Sequence, residues 1–203
     1  MIARAVDTKT RILDAAEKLF GQNGFDATSL RDITAEADVN LAAVNYHFQS
    51  KESLIDAVIA RRIEPINEQR CSMLESAGPN PSVEQILIAF LAPILFEDHT
   101  QIAPLIGRIL ATPDFFITRV FKKHLAKVAQ LFTDALGKAL PDLPTADIMW
   151  RLHFTGGAMA NILTRAHLLP EYSGGRCDPT DRPAVLARLV TFASAGFRAT
   201  EGF

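Results

Sequence analysis

Little in this chain serves covalent or metal stapling. It has 2 cysteines, Cys71 and Cys177, among 203 residues, too few and too widely spaced for a disulfide framework. A reducing cytoplasm is the expected setting. Histidine is scarce as well. His99, His124, His153 and His167 lack the tight Cys/His spacing of a metal site, so no metal and no cofactor are expected. No apolar run reaches the ~18 residues of a membrane helix, and no membrane is expected among the partners. The opening stretch MIARAVDTKTRILDAAEKLF breaks its apolar residues with charges too often for a secretory signal. Neither charge sign dominates, with 21 Lys and Arg against 23 Asp and Glu. There is no glycine-rich phosphate loop, no nucleophile elbow and no convergent set of titratable residues, so an enzyme is not expected. Tyrosine and tryptophan are rare, at 2 and 1, beside 13 phenylalanines. A chain this long and 48% hydrophobic is too apolar for disorder and buries a core unaided.

What is present is helical periodicity. Ile12, Ala16, Leu19 and Phe20 fall on one helical face, and Gly24 stands where a terminating glycine is expected. Ser29 or Thr28 caps a short second helix with Leu30, Ile33 and Ala37 inside. Asn40 caps a third, Leu41 to Phe48. Ser50 caps a long fourth helix, Lys51 to Ser76, with Pro65 a candidate kink. Ser82 opens a helix through Phe96, and another spans Ile102 to Ala111. A long helix runs from Phe115 to Leu140, then one from Ala146 to Leu168 capped by Thr145. After a Gly/Pro loop, Asp181 caps a last helix to Thr200. No strand pattern competes. The expected fold is all-α with about nine helices, divided into residues 1–50 and residues 51–203.

Residues 29–48 carry the functional signal. Two short helices joined by a tight turn make a helix-turn-helix, whose second helix enters the DNA major groove. On a helical wheel Val44 and Phe48 face inward and Ala42 and Tyr46 outward, with Ala43 and Asn45 on the flanks. Small and uncharged polar side chains on the outer face allow close approach to base edges.

The stretches KTRILDAAEKLFGQNGFDATSLRDITAEADV and NLAAVNYHFQSKESLIDAVI resemble the N-terminal domain of TetR-family transcriptional regulators over residues 9–56. The triplet Tyr46-His47-Phe48, followed by Ser50-Lys51-Glu52 and Leu54, is the most specific part. The resemblance implies a homodimer on double-stranded operator DNA, acting as a repressor of a palindromic site and released by a small-molecule effector. It also implies site roles. Asn45 suits an adenine edge, while Asn40, Leu41, Ala42 and Ala43 lie along the bases and thymine methyls. Tyr46, His47 and Lys51 meet phosphates, as does Ser29, and Arg31 meets the backbone or a base. Plainer readings stand beside these. Ala42 and Ala43 are good helix formers, His47 could pack inside, Lys51 could be solvated, and Arg31 could serve an internal ion pair.

Two features depart from the family. Leu41 and Ala42 stand where many members have lysine or glycine. Residues 1–60 hold 6 Lys and Arg against 9 Asp and Glu, so non-specific phosphate attraction is weak. Arg4, Lys9 and Arg11 are the only arm cations.

By the same resemblance the last two long helices pair the protomers, with Ala158, Ile162, Leu189, Phe192, Ala193 and Phe197 as interface candidates. Gly156 and Gly157 add close packing or room for a ligand. The middle helices form an effector pocket, with Phe90, Ile94, Phe96, Ile106, Phe115, Phe116, Phe121, Trp150 and Phe154 as its lining. Leu125, Met149 and Met159 are further candidates. The thin polar inventory there favours an apolar effector. Asn40–Phe48 and Trp150-Arg151-Leu152-His153-Phe154 resemble family members that regulate fatty-acid metabolism, which implies a fatty acid or acyl-CoA. Its acidic group could pair with Arg108, Arg119, Arg151 or Arg165. The alternatives are a metal- or redox-sensing regulator of the same fold, or a helical protein-interaction scaffold.

Overall fold

The computed structural model describes residues 7–97, 99–110 and 114–199. Within them the elements are α1 (Thr8–Asn23), α2 (Leu30–Glu36), α3 (Leu41–Phe48), α4 (Lys51–Ser76), α5 (Val83–Leu95), α6 (His99–Leu110) and α7 (Asp114–Val120). A π-helical segment, Phe121–Leu125, joins α7 to α8 (Ala126–Ala139). Then come α9 (Thr145–Arg165), a 3-10 turn, the single-turn α10 (Leu169–Tyr172) and α11 (Arg182–Arg198). With α7, the π segment and α8 taken as one element, and α10 set aside, the described residues hold nine helices and no strand.

Local chemistry sets the helix starts. Ser29 and Asp32 form a reciprocal capping box, as do Ser82 and Gln85, each satisfying two otherwise orphaned donors. The side chains of Asn40, Ser50 and Asp181 accept from Ala43, Ser53 and Ala184 respectively. Thr145 departs from its expected role. It begins α9 behind Pro144, with no side-chain cap. Thr28 is buried, and its hydroxyl donates to the Gly24 carbonyl oxygen at 2.8 Å. Helix α4 runs through Pro65 as one element.

The apolar side chains gather into two cores. One holds Ile12, Ala16, Phe20, Phe25, Ile33, Val44 and Phe48. The other holds Ile66, Leu74, Ile86, Leu87, Leu91, Phe132, Leu136, Ile148, Leu189 and Phe197. The two cores divide within α4, beyond residue 50. Leu54, Ile55, Val58 and Ile59 belong to the first core, and only beyond them does α4 join the second. Leu105, Phe116 and Val120 also enter the first core from α6 and α7, so the C-terminal helices pack directly on the N-terminal ones.

Ion pairs lock the same junction. Arg61 meets Asp14 at 2.6 Å, and Arg62 meets Glu17 through both carboxylate oxygens. Asp56 is held by Arg119 at 3.3 Å and by Lys123 at 2.8 Å.

One backbone position is strained. Gln49, just past α3, has φ 66° and ψ −41°, outside the left-handed basin that non-glycine residues tolerate. Gln49→Gly is expected to raise the melting temperature by about 2–4 °C, the equivalent of ~1 kcal/mol in a chain of this size. Thermal denaturation followed by circular dichroism measures it, and an unchanged or lower midpoint contradicts the strain.

Candidate nucleic-acid interface

Helices α2 and α3 meet around a turn whose carbonyls are pinned from α1. Arg11 Nη2 donates to the Ala37 oxygen at 2.6 Å and the Asp38 oxygen at 2.8 Å, and pairs with the Asp38 carboxylate at 3.2 Å. Asp38 carries φ 50°, which aspartate tolerates better than most residues. Arg11 is therefore committed to the turn instead of the DNA arm. Arg4 lies outside the described residues.

On α3, Val44 and Phe48 are buried, while Leu41, Ala42, Asn45 and Tyr46 are exposed together along one side. Tyr46 is 83% exposed. This face carries no charge, so an approaching base edge displaces no strongly bound water or ion. Asn40 Oδ1 is taken up by its cap bond to Ala43 at 2.9 Å. Ala43, expected beside the bases, is half-buried and packs on the first core. His47 is half-buried, its ring 5.0 Å from that of Tyr46 and 6.1 Å from that of Phe48.

The flanking phosphate candidates divide. Ser29 Oγ donates to Asp32 at 2.7 Å and accepts from its N–H, so a phosphate contact there requires opening the box. That hydroxyl, then the Ser29 backbone, hold the Asp32 carboxyl below its ordinary value. Arg31 is exposed, and its guanidinium makes no hydrogen bond or ion pair among the described residues, which leaves it open to DNA. Lys51 sits at the first position of α4, with Nζ 3.3 Å from the Asp26 oxygen.

Matches to known proteins agree with this geometry. Residues 12–58 match the family described as bacterial regulatory proteins, tetR family, and residues 88–196 match the tetracyclin repressor-like C-terminal domain. The chain belongs to the TetR family. It is a DNA-binding transcriptional regulator, not an enzyme. It is 41% identical to the regulator UidR of Escherichia coli K12 over 174 residues, 80% of this chain and 85% of that protein. It is 26% identical to the Staphylococcus aureus negative regulator IcaR of the biofilm operon icaADBC, over 56% of this chain and 59% of that protein. In fold it is similar to the fatty acid degradation regulator FadR from Bacillus halodurans, at TM-score 0.70 and 16% identity, covering 98% of this chain and 100% of that one.

In the C-terminal half of this TetR-family chain the candidate pocket and interface residues fall in several different environments. Trp150 and Phe154, expected in the pocket, lie 60% and 62% exposed on the outer side of α9, their rings stacked at 5.6 Å. Their helix spends its inner face, Ile148, Leu152, Thr155 and Leu163, on the core. Phe116 is buried in the first core with its ring 5.0 Å from that of Phe25, while Phe96 and Phe121 are exposed. Ile94 is buried, Phe90 and Ile106 are half-buried against the second core, and the Phe115 side chain lies outside the described residues. Leu189, Ala193 and Phe197, expected at the dimer interface, are buried within their own chain. Ala158 and Ile162 are half-buried, and Phe192 stands 73% exposed on α11. A Cβ built on Gly156, Gly157 or Gly196 would meet nothing within 4 Å, so these glycines do not serve packing within the chain.

Three of the four arginines expected to meet an effector are committed elsewhere. Arg108 donates to the carbonyls of Gly21 and Gln22, Arg119 pairs with Asp56, and Arg151 donates to the carbonyls of Gly196 and Phe197. Arg165 is exposed. A residue that sequence reasoning passed over is Arg70, buried inside the C-terminal domain. Its signal was spacing, because Ile66, Arg70 and Leu74 follow each other at i, i+4, i+8 on the inner side of α4. No group of three or more His, Cys, Asp and Glu side chains among the described residues could hold a metal, and no described helix is long and apolar enough to cross a membrane.

Proposed function

We propose that this chain is a repressor that binds a palindromic operator as a homodimer and releases it when a small apolar effector binds. The observation that carries the reading is the exposed, uncharged face of α3, with Asn45 and Tyr46 at its centre and capped helices on both sides. Asn45 reads an adenine in the major groove, Leu41 and Ala42 rest on thymine methyls, and Tyr46, His47, Lys51 and Arg31 meet phosphates. Pairing through the outer faces of α9 and α11 sets the two copies of α3 about one helical turn of DNA apart, ~34–36 Å. The negative regulator IcaR supports the repressor sign. An acyl chain is the candidate effector body, in keeping with the apolar middle helices. Release follows from linkage. An effector that binds better to a dimer with mis-spaced α3 helices draws the population away from the DNA-competent state.

Selection from randomised duplexes is the test. The enriched site is expected to have twofold symmetry, and an asymmetric site overturns the dimer reading. Repeating the selection with Asn45→Ala is expected to relax the preference at one base pair per half-site, a change of about 1–3 kcal/mol there. An unchanged preference removes Asn45 from base reading.

A further inference from the structure

Arg70 is 3% exposed in a stripe where its neighbours four residues away, Ile66 and Leu74, are core aliphatics. Its guanidinium has only neutral partners. Nε donates to the Phe90 carbonyl at 2.8 Å, Nη1 to Asn67 Oδ1 at 3.1 Å, and Nη2 points at the Met159 sulfur at 3.9 Å. The Phe90 ring lies 4.7 Å beneath it. No carboxylate pairs with it among the described residues. Burial pushes its pKa down to about 10, so it is still a cation at neutral pH. Burying a charge without a counter-charge is costly, a ring face repays part of that, and a thioether is a weak acceptor. A leucine or methionine would satisfy the stripe at no such cost. The position is built as though an anion were to arrive.

A second observation adjoins it. Asn67, which accepts from Arg70, donates Nδ2 to the His124 carbonyl at 2.8 Å. His124 lies in the π-helical segment, an irregularity that concentrates at functional sites. Its Nε2 is buried without a hydrogen-bond partner. Two polar groups that lack their natural partners, one cationic and one imidazole, are thus linked through a single asparagine inside the C-terminal domain.

Resting on the effector-responsive reading above, we infer that Arg70 receives the carboxylate of a small amphipathic acid, whose apolar body lies against Phe90 and Met159. The guanidinium edge formed by Nη1 and Nη2 takes a carboxylate as a fork. The buried charge selects a free acid over a thioester, since a thioester carries no charge at its acyl head. The consequence for DNA runs through the same contacts. Drawing Nη1 away from Asn67 loosens the bond that ties Asn67 to His124. The π segment and α7 hold Asp56 through Lys123 and Arg119, and Asp56 lies among the α4 residues that enter the core beneath α3.

The test is calorimetric titration of the full-length protein with octanoate, 1-octanol and octanoyl-CoA. The wild type is expected to bind octanoate at least about tenfold more tightly than the alcohol or the thioester, the scale of a charge-assisted pair. In Arg70→Met the preference for acid over alcohol falls to near one. The variant's ligand-free melting point stands at or above that of the wild type, because an unpaired buried charge has been removed. Arg70→Lys keeps a reduced preference, having charge without the fork, and it decides the matter if Arg70→Met fails to fold. A wild type without preference for the acid, or an Arg70 variant with the full preference, overturns the proposal. Operator binding by ligand-free wild type is measured separately. Its loss would count against the regulator reading and leave the acid site standing.

Discussion

Tyr46→Ala is expected to weaken operator binding by about a hundredfold or more while leaving the fold intact. The ring is 83% exposed and outside both cores, so its removal opens no cavity. Surface changes of this kind stay within ~0.5 kcal/mol, which corresponds to a melting shift of no more than about 2 °C. On DNA the loss is larger. A hydrogen bond to a charged phosphate contributes ~1.5–3 kcal/mol, and a symmetric dimer loses it twice. With so few free cations near the site, no surplus of phosphate contacts hides the loss. Fluorescence anisotropy on the selected operator, alongside a thermal melt, measures both quantities. Affinity within about threefold of wild type, or a melting point several degrees lower, refutes the assignment.

Phe154→Asp is expected to dissociate the dimer. Met149, Trp150 and Phe154 on α9, and Phe192 on α11, are each more than half exposed. Fully burying one aromatic side chain removes ~150–250 Å² from water, roughly 4–6 kcal/mol at ~25 cal/mol/Å². Twofold symmetry counts the change twice, and the aspartate adds the cost of an unpaired charge. A weakening of a thousandfold or more follows, about 4 kcal/mol at the least. The monomer keeps its fold, since Phe154 contributes to neither core. Sedimentation velocity at micromolar concentration reads the outcome. A persistent dimer would move the interface to another surface.

The parts of this molecule that local chemistry determines were readable from the sequence. Ser29, Asn40, Ser50, Ser82 and Asp181 mark helix starts by bonds that reach only three residues, and the 3.6-residue period marks the faces of α1 and α3. Less legible were the surroundings of each apolar face. Periodicity finds an apolar face without saying what covers it. Phe154 and Phe192 are the same residue type as Phe132 and Phe197, yet only the latter pair is enclosed by this chain. Phe116 was drawn into the N-terminal core by tertiary packing that no local pattern records. The π segment left no trace either, because it interrupts one helical stretch without a proline or glycine. Arg70 was overlooked because arginine reads as surface, although its spacing with Ile66 and Leu74 contradicted that.

Helix α4 begins directly beyond α3 and runs for 26 residues as one rod, about 39 Å at ~1.5 Å per residue. With an effector held at Arg70 as proposed, it acts as a lever arm whose short-range input lies near Arg70 and whose output lies at Lys51, about 28 Å away by the same rise. A tilt of ~10° at the input carries the output end through about 5 Å, more than the ~3.4 Å step between neighbouring base pairs. Each protomer can therefore slip out of register with its half-site while every helix stays whole, and the two slips add across the dimer. Sensitivity in such a device depends on rod stiffness, so glycine at Glu64 and Pro65, the two exposed positions between Ile59 and Ile66, would uncouple effector from operator without touching either end.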